Sequence, residues 1–492
     1  MNKRSDILLF LLILALSLAR FLWLGTVPGL HGDEALYGIK THIMMYEDPF
    51  TLNGFNAYTG PLISYLRIPM FYFMGINVFT LRLPIVILSL ISIYFVYRLL
   101  RQAYNRETGI IGALLLLTMP WSFIYSRFAD ETHTSLVFFA ICGLYYWYRG
   151  LSSGRVRNLD MALAALFLGM GVFNHQIFML VPVTYFVYFF ISHKFGRRMD
   201  KPFIVFLSAF LPFLFLRMFL IFNARIIGTD GIYYRLGQAI NMNLVYKFLC
   251  SVPHLMNMLD GGIFYIRVAG EILLRVIPLT SILFIVSLIA LIWRRRHYPR
   301  FEKQDAMFTS IFLLNFLINA MFLRDFSLRY FITTLMFATI LIAIFIGTSR
   351  IRKWLRVGLV SLVLASNCLY VGYNYMYAFR QTGGRSSVFW TGNFFENSNG
   401  FIDSKRLYDY LKDKGIVNIW VPEEFIRWAL IFLDFNDKRL NLKADVEAGS
   451  PGELYYVSYK GDGPEMHNFS GRYSNSEHSN HLNHYDIFLI KK

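Results

Sequence analysis

A chain of 492 residues that is 56% hydrophobic and 16% charged, with 48 Phe and 31 Tyr, is too apolar for an ordinary soluble protein of its length. The net charge of +17 invites a nucleic-acid reading, but the basic residues fall in short clusters between apolar runs rather than on one face of a domain. That distribution excludes a nucleic-acid partner and points to a polytopic membrane protein.

A membrane span needs about 20 predominantly apolar residues, and about eleven runs approach that length. They lie at roughly 7–24, 79–101, 108–125, 132–149, 159–174, 177–193, 202–222, 272–293, 306–323, 328–348 and 354–375, with ends uncertain by about 2–4 residues. The clusters MNKR, RLLRQAYNR, RGLSSGRVR, HKFGRRMDK, RRRHYPRFEK and SRIRKWLR occupy every second gap, the positive-inside pattern. It predicts a multi-pass protein of the plasma membrane with a cytoplasmic N-terminus and an outward C-terminal region. The first run ends in WLGTVP rather than a small-residue cleavage site, so a retained helix is expected. Cys142, Cys250 and Cys368 are too scattered for a disulfide framework or a metal knuckle.

Directly after the first run comes HGDEALYGIK, with Asp33 and Glu34 at the mouth of the span. They open a long external loop, 25–78, that continues through NAYTGPLISYL. In that stretch Gly60 and Pro61 form a tight turn beside Tyr58, and the following PLISYLRIPMFYFMG is amphipathic enough to lie on the membrane surface. A second acidic pair, Asp130 and Glu131, sits in YSRFADETHTS after Arg127. By the topology above this gap faces the same side. Two such pairs on one face suit a general base beside a metal or a substrate-orienting acid; the bland alternative is that acids merely mark helix ends.

Further along, FNHQ places His175 at that level, and a second long external loop spans 223–271. LRDFSLRYFITT then puts Arg324 and Arg329 at the boundary. Arginine at that depth suits a lipid phosphate, because its planar donors grip two oxygens at once, although an interfacial pair with Asp325 is the other reading. After residue 375 the apolar runs shrink. SKRLYDYLKDKG reads as a helix ending at Gly415 and IVNIWV as a strand. PEEFIRWALIFL is a second helix, with ELYYVSY and YDIFLIK as further strands: a small α/β domain over 376–492. The four histidines in 467–484 read as part of a solvated loop.

The acidic pair after the first span, the Gly-Pro-Leu turn before an amphipathic stretch, the Ser-Arg before the second acidic loop and the Arg-Tyr opening a late span together resemble the GT-C glycosyltransferases. The branch most similar is that of the protein O-mannosyltransferases and the lipid A aminoarabinose transferase, over roughly residues 1–350. The resemblance implies a GT-C-like transmembrane catalytic domain, 1–375, that moves a sugar from a polyprenyl-phosphate donor to a lipid, glycan or protein acceptor at the outer face. It implies that Asp33 is the catalytic acid/base, that Glu34 holds the loop beside it, and that Asp130 or Glu131 is the second-loop acid. Arg329 would contact the lipid phosphate, with Arg324, Arg127 and His175 as further candidates. Tyr58, Gly60 and Pro61 would form the substrate loop, where Thr59-Gly60 replaces a lysine found in relatives. A polyprenyl phosphate is already a good leaving group, so one base and phosphate-facing cations suffice, and direct displacement would invert the anomeric centre. A divalent ion is left open; Asp33 and Asp130 are where one would bind. The rival readings are a transporter or flippase, which calls for ionisable groups deep in the spans, and a receptor whose external domain does the work.

Overall fold

The computed structural model describes residues 3–27, 29–54, 59–129, 133–152, 158–192, 201–226, 244–261, 267–268, 271–272, 278–297, 302–322, 331–377, 404–443, 454–459, 475–482 and 485–491. Among these, α1 (Lys3–Ala19) is followed by two helices where a long loop was expected, α2 (Gly32–Tyr46) and α3 (Leu62–Met74). Then come α4 (Val78–Ala103), α5 (Arg106–Thr118), α6 (Pro120–Tyr125), α7 (Thr134–Ser152) and α8 (Asn158–Asn174). A 3₁₀ turn (Gln176–Met179) leads into α9 (Leu180–Ser192), followed by α10 (Lys201–Ile226). The chain continues through α11 (Leu244–Leu259), the short strands β1 (Arg267–Val268) and β2 (Glu271–Ile272), α12 (Leu279–His297), α13 (Glu302–Phe322), α14 (Ile332–Thr348) and α15 (Lys353–Leu369), which runs on as a π-helix, Tyr370–Tyr377.

Among the described residues three helices are long and apolar enough to cross a membrane by length and composition, Val78–Ala103, Pro202–Phe222 and Lys353–Tyr373, and seven apolar helices are shorter. Helices occupy the runs expected as spans, and two of those runs are interrupted for local reasons. The expected span 108–125 breaks at Met119 because Pro120 has no N–H to continue α5 and starts α6 instead. The expected span 177–193 begins as a 3₁₀ turn capped by His175. The expected loop 223–271 contains α11, whose Leu255, Met258 and Leu259 are buried in the main core. That core draws buried residues from every helix from α4 to α14. In α3, Ile63, Arg67 and Phe71 face inward while Leu66, Tyr72, Phe73 and Met74 are exposed.

The end of the bundle away from α2 is tied by charge. Arg294 grips Asp305 through Nε–Oδ2 at 2.7 Å and Nη2–Oδ1 at 2.6 Å, and the Tyr104 hydroxyl donates to the same carboxylate at 2.8 Å. The remainder of the chain forms α16 (Ser404–Asp413), α17 (Glu424–Leu433) and a five-stranded sheet in the order β4-β3-β5-β7-β6. Its strands are β3 (Asn418–Trp420), β4 (Asn441–Lys443), β5 (Leu454–Tyr459), β6 (Asn475–Leu482) and β7 (Tyr485–Lys491). β3 runs parallel to β4 and β5, while β7 is antiparallel to β5 and β6. Gly415 ends the turn after α16 with φ 66°, a backbone that glycine adopts at little cost. Leu407, Leu411, Ile419, Val421, Ile426, Leu430, Val457 and Ile487 form the core of this unit. Part of the histidine-rich stretch expected as loop, residues 475–482, is strand β6, paired with β7 around a bulge at His478/Asn480.

Candidate active site

The backbone leaving α1 has no helix to satisfy its carbonyls, and around Leu24, Val27 and Leu30 it is buried away from water. Buried arginines from elsewhere in the chain take that role. Arg127 donates to the carbonyls of Arg20 at 2.6 Å, Leu22 at 2.7 Å and Val27 at 2.7 Å. Arg82, in the second turn of α4, donates to Leu24 at 3.0 Å and Gly29 at 3.0 Å. Arg20 in turn reaches the carbonyls of Leu116 at 2.8 Å and Ser122 at 2.9 Å and the Ser89 hydroxyl at 2.8 Å. The turn so held passes through the left-handed region at Trp23, φ 52°, a conformation that a bulky side chain adopts only when its surroundings impose it.

This anchored exit delivers α2. His31 caps it: its Nδ1 accepts the Asp33 N–H at 3.1 Å, and Glu34 reaches back to the His31 N–H at 3.2 Å. Glu34 is fully buried and bidentate to Arg82, with Nε–Oε1 at 2.8 Å and Nη2–Oε2 at 2.6 Å. Its Oε1 also accepts the Ala129 N–H at 2.7 Å. With both oxygens engaged in four hydrogen bonds, the Glu34 side chain braces the loop and has little freedom to act as a proton carrier. Asp33, its neighbour, is half-buried at the first turn.

Ala129 is the residue before Asp130, and it is held on both sides. Its N–H is on Glu34, and its carbonyl accepts from Arg67 of α3 at 2.8 Å. Arg67 also lies over the Tyr37 ring, 5.6 Å from its centroid. The chain segments that carry the two acidic pairs therefore meet in a buried network. Asp130 and Glu131 themselves, with Tyr58, Arg324 and Arg329, lie outside the described residues. On the far side of Ala129, His133 stacks on Tyr125 at 4.1 Å, and Phe128 lies edge-on to both His133 at 5.3 Å and His31 at 5.8 Å.

The Gly60–Pro61 turn sits against the end of α8. Thr59 pairs with His175 as an antiparallel bridge, and the Gly60 N–H donates to the Asn174 carbonyl at 2.7 Å. A Cβ on Gly60 would fall 2.1 Å from the Phe173 oxygen, so only glycine fits. Arg217 of α10 donates to the Thr59 carbonyl at 3.1 Å. His175 Nδ1 caps its own 3₁₀ turn by accepting the Ile177 N–H at 3.2 Å.

Of the residues expected to meet the donor phosphate, Arg127 and His175 are thus engaged with backbone: Arg127 with the exit of α1, His175 with its own turn and Thr59. Sequence reasoning missed Arg82, Arg67 and Arg20. Their signal was present, since a cation inside an apolar run is expensive unless paired. No group of three or more His, Cys, Asp or Glu side chains able to hold a metal occurs among the described residues. Glu34 is committed to Arg82, and Asp130, expected to hold any divalent ion together with Asp33, lies outside the described residues.

Residues 59–238 match the family model described as dolichyl-phosphate-mannose-protein mannosyltransferase. No curated protein matches in sequence. Among solved structures, ArnT from Cupriavidus metallidurans bound to undecaprenyl phosphate superposes with a TM-score of 0.64 at 11% identity, covering 99% of this chain and 98% of that one. Its apo form gives 0.63 at 12% identity, again over 99% and 98%. The apo oligosaccharyltransferase from Archaeoglobus fulgidus gives 0.52 at 13% identity, over 93% of this chain and 70% of that one. The fold is shared across almost the whole of the first of these proteins.

Proposed function

We propose that this chain, a membrane glycosyltransferase of the GT-C superfamily, moves a sugar from a polyprenyl-phosphate donor to an acceptor hydroxyl or amine, with Asp33 as the base. The observation that carries the reading is the Ala129 N–H on Glu34 at 2.7 Å, which ties the segment leading to Asp130 into the loop that presents Asp33. The relative with undecaprenyl phosphate bound supports a polyprenyl carrier of that class. In the reaction Asp33 accepts the acceptor's proton as the nucleophile attacks the anomeric carbon. The carbon–oxygen bond to the polyprenyl phosphate breaks, and the electron pair leaves with the phosphate. Such a single displacement inverts the anomeric centre. Arg324 and Arg329 are the proposed phosphate contacts, because fixed cations beside a departing anion stabilise the charge that develops there. The site opens on the outer face in this reading, with the N-terminus on the inner face, as the alternating basic gaps suggest.

The test uses purified protein and radiolabelled polyprenyl-phosphate sugars, with wild type compared to Asp33→Asn. The variant should bind donor within about twofold of wild type and turn over about 10²–10⁴ times more slowly, the usual range for a lost general base. A variant as active as wild type removes Asp33 from the chemistry. A wild type that binds no polyprenyl-phosphate sugar overturns the transferase reading.

A further inference from the structure

The helix that presents Asp33 has a second side, away from the arginines. Ala35, Gly38, His42 and Met45 fall three or four residues apart and form one stripe along α2. That stripe is covered by α17 of the C-terminal α/β unit. The Phe432 ring rests on the α2 backbone at Gly38, where an added Cβ would lie 2.3 Å from the ring carbon Cε2 and 3.3 Å from Leu81 Cδ1. The Phe435 ring stacks on His42 at 4.7 Å with an interplanar angle of 16°. Ala429 and Phe432 are buried in one apolar cluster with Leu30, Ala35, Phe71, Leu81 and Ala129.

Polar contacts flank this cluster. Ser404 Oγ donates to the Leu30 carbonyl at 3.3 Å, immediately before the cap of α2, and Asn436 Nδ2 donates to the Ile76 carbonyl at 3.1 Å, just ahead of α4. The C-terminal unit therefore reaches each of the three segments that converge around Asp33: the exit of α1 at Leu30, the start of α4 at Ile76, and Ala129 before the second acidic pair.

We infer that the C-terminal α/β unit is a clamp that sets the position of α2 for sugar transfer, with Phe432 as its principal positioning residue. The inference rests on the reading of Asp33 as the base. The first turn of α2 is fixed by Arg82, but a helix held at one end pivots, and the reacting carboxylate sits on that end. Phe432 fixes the axis from the other side by filling a space that only glycine leaves open. Phe432 is buried against α2 and Leu81, so its loss acts on the geometry of transfer and not on the affinity for lipid. A displacement of about 1 Å at a reacting group costs on the order of 10²-fold in rate.

The experiment compares wild type, Phe432→Ala, Phe432→Leu and Lys405→Ala, the last on the exposed face of α16. Two quantities are read on the full chain in detergent: amide hydrogen exchange across 32–46, and donor kcat and KM. Phe432→Ala should speed exchange in α2 and lower kcat by about 10-fold or more with KM within about twofold. Phe432→Leu should recover most of both, and Lys405→Ala should match wild type in both. Unchanged α2 exchange in folded Phe432→Ala overturns the clamp. So does a loss of activity that only follows the loss of folded protein, or a rise in KM at constant kcat. If Phe432→Ala does not fold, Phe435→Ala, which removes the ring stacked on His42, carries the same test, and an α2 exchange identical to wild type then overturns the proposal. A wild type without turnover on any donor sinks the transferase reading alone, because the exchange measurement still decides the clamp.

Discussion

The two sides of α2 are held by opposite physics. At its first turn Glu34 lies in a dry pocket and meets Arg82 through two short charged bonds, which fix both distance and direction. Along the rest of the helix Gly38 and His42 meet the rings of Phe432 and Phe435, contacts that exclude water but tolerate small slides. A helix with a reacting carboxylate at one end needs the directional restraint there and the broad one along its length. The same division appears in the turn cluster, where the Gly60 N–H is fixed by a backbone bond while Ile63 and Phe71 of α3 pack into apolar clusters.

The largest expected effect breaks the polar side. Arg82→Ala strands the buried Glu34 carboxylate and frees the Leu24 and Gly29 carbonyls, a loss of about 3–5 kcal/mol by analogy with other broken buried pairs. The expected outcome is little or no monodisperse protein by size exclusion, or a sharply lowered melting midpoint. Replacing both partners, Glu34→Leu with Arg82→Met, should recover much of the stability, since no buried charge is left alone. It should not recover turnover, because the directional bonds to Ala129 and His31 go with Glu34. If Arg82→Ala melts no lower than Phe432→Ala, the contrast between the two sides of α2 is wrong.

That pair also shows what the sequence made legible. Asp33 and Glu34 stood out because they and the second pair, Asp130 and Glu131, lie in loops distant in sequence that the expected topology puts on one side. Arg82 did not, because it sits in FTLRLPIVIL, where the apolar neighbours dominate, and its partner is 48 residues away. The pairing is a fact of topology, and no local pattern encodes it. The break in the third apolar run, expected as continuous over 108–125, had its signal in Pro120, since a proline ends the helix before it. By contrast α11 was hidden, because Lys247, Pro253 and His254 interrupt an otherwise apolar stretch. Strand β6 was hidden too. Its residues, NSEHSNHL, have the composition of a loop, and they form a strand only because β7 lies beside them. The role of the α17 aromatics was out of reach for the same reason as Arg82: PEEFIRWALIFL shows an amphipathic helix, but not which surface it covers.

A middle-sized effect sharpens the comparison from the turn cluster. In Gly60→Ala the new methyl meets the Phe173 carbonyl, a backbone atom that cannot rotate away. A cost of about 1–3 kcal/mol follows from overpacking of this kind. Because α3 begins just after Pro61 and its Arg67 holds the Ala129 carbonyl, the displacement should pass to the second acidic loop. The expected reading is a lowered melting midpoint together with faster exchange at residue 129. Faster exchange near Thr59 with none at Ala129 would show that the two clusters are mechanically separate.

The smallest effect lies at His42, where the apolar side of α2 carries its one titratable ring against Phe435. Its pKa is lowered from the ordinary 6.5, chiefly because burial disfavours the charged form; Lys438 lowers it further, and Glu47 opposes the shift. A base whose folded pKa is depressed is neutral in the folded chain while the unfolded chain has begun to take up a proton. Its contribution to stability is therefore whole above about pH 6.5 and declines as pH falls from there through the lower folded value. The ring is only partly buried, so the change is small. His42→Phe keeps an aromatic ring for Phe435 to stack on and removes the titration. The gap in α2 exchange between wild type and His42→Phe should thus shift against wild type between about pH 7.5 and pH 5.5. A gap that stays constant over that interval would mean that His42 is as well solvated in the docked state as in the free chain, and that the stack on Phe435 acts on α2 without linkage to pH.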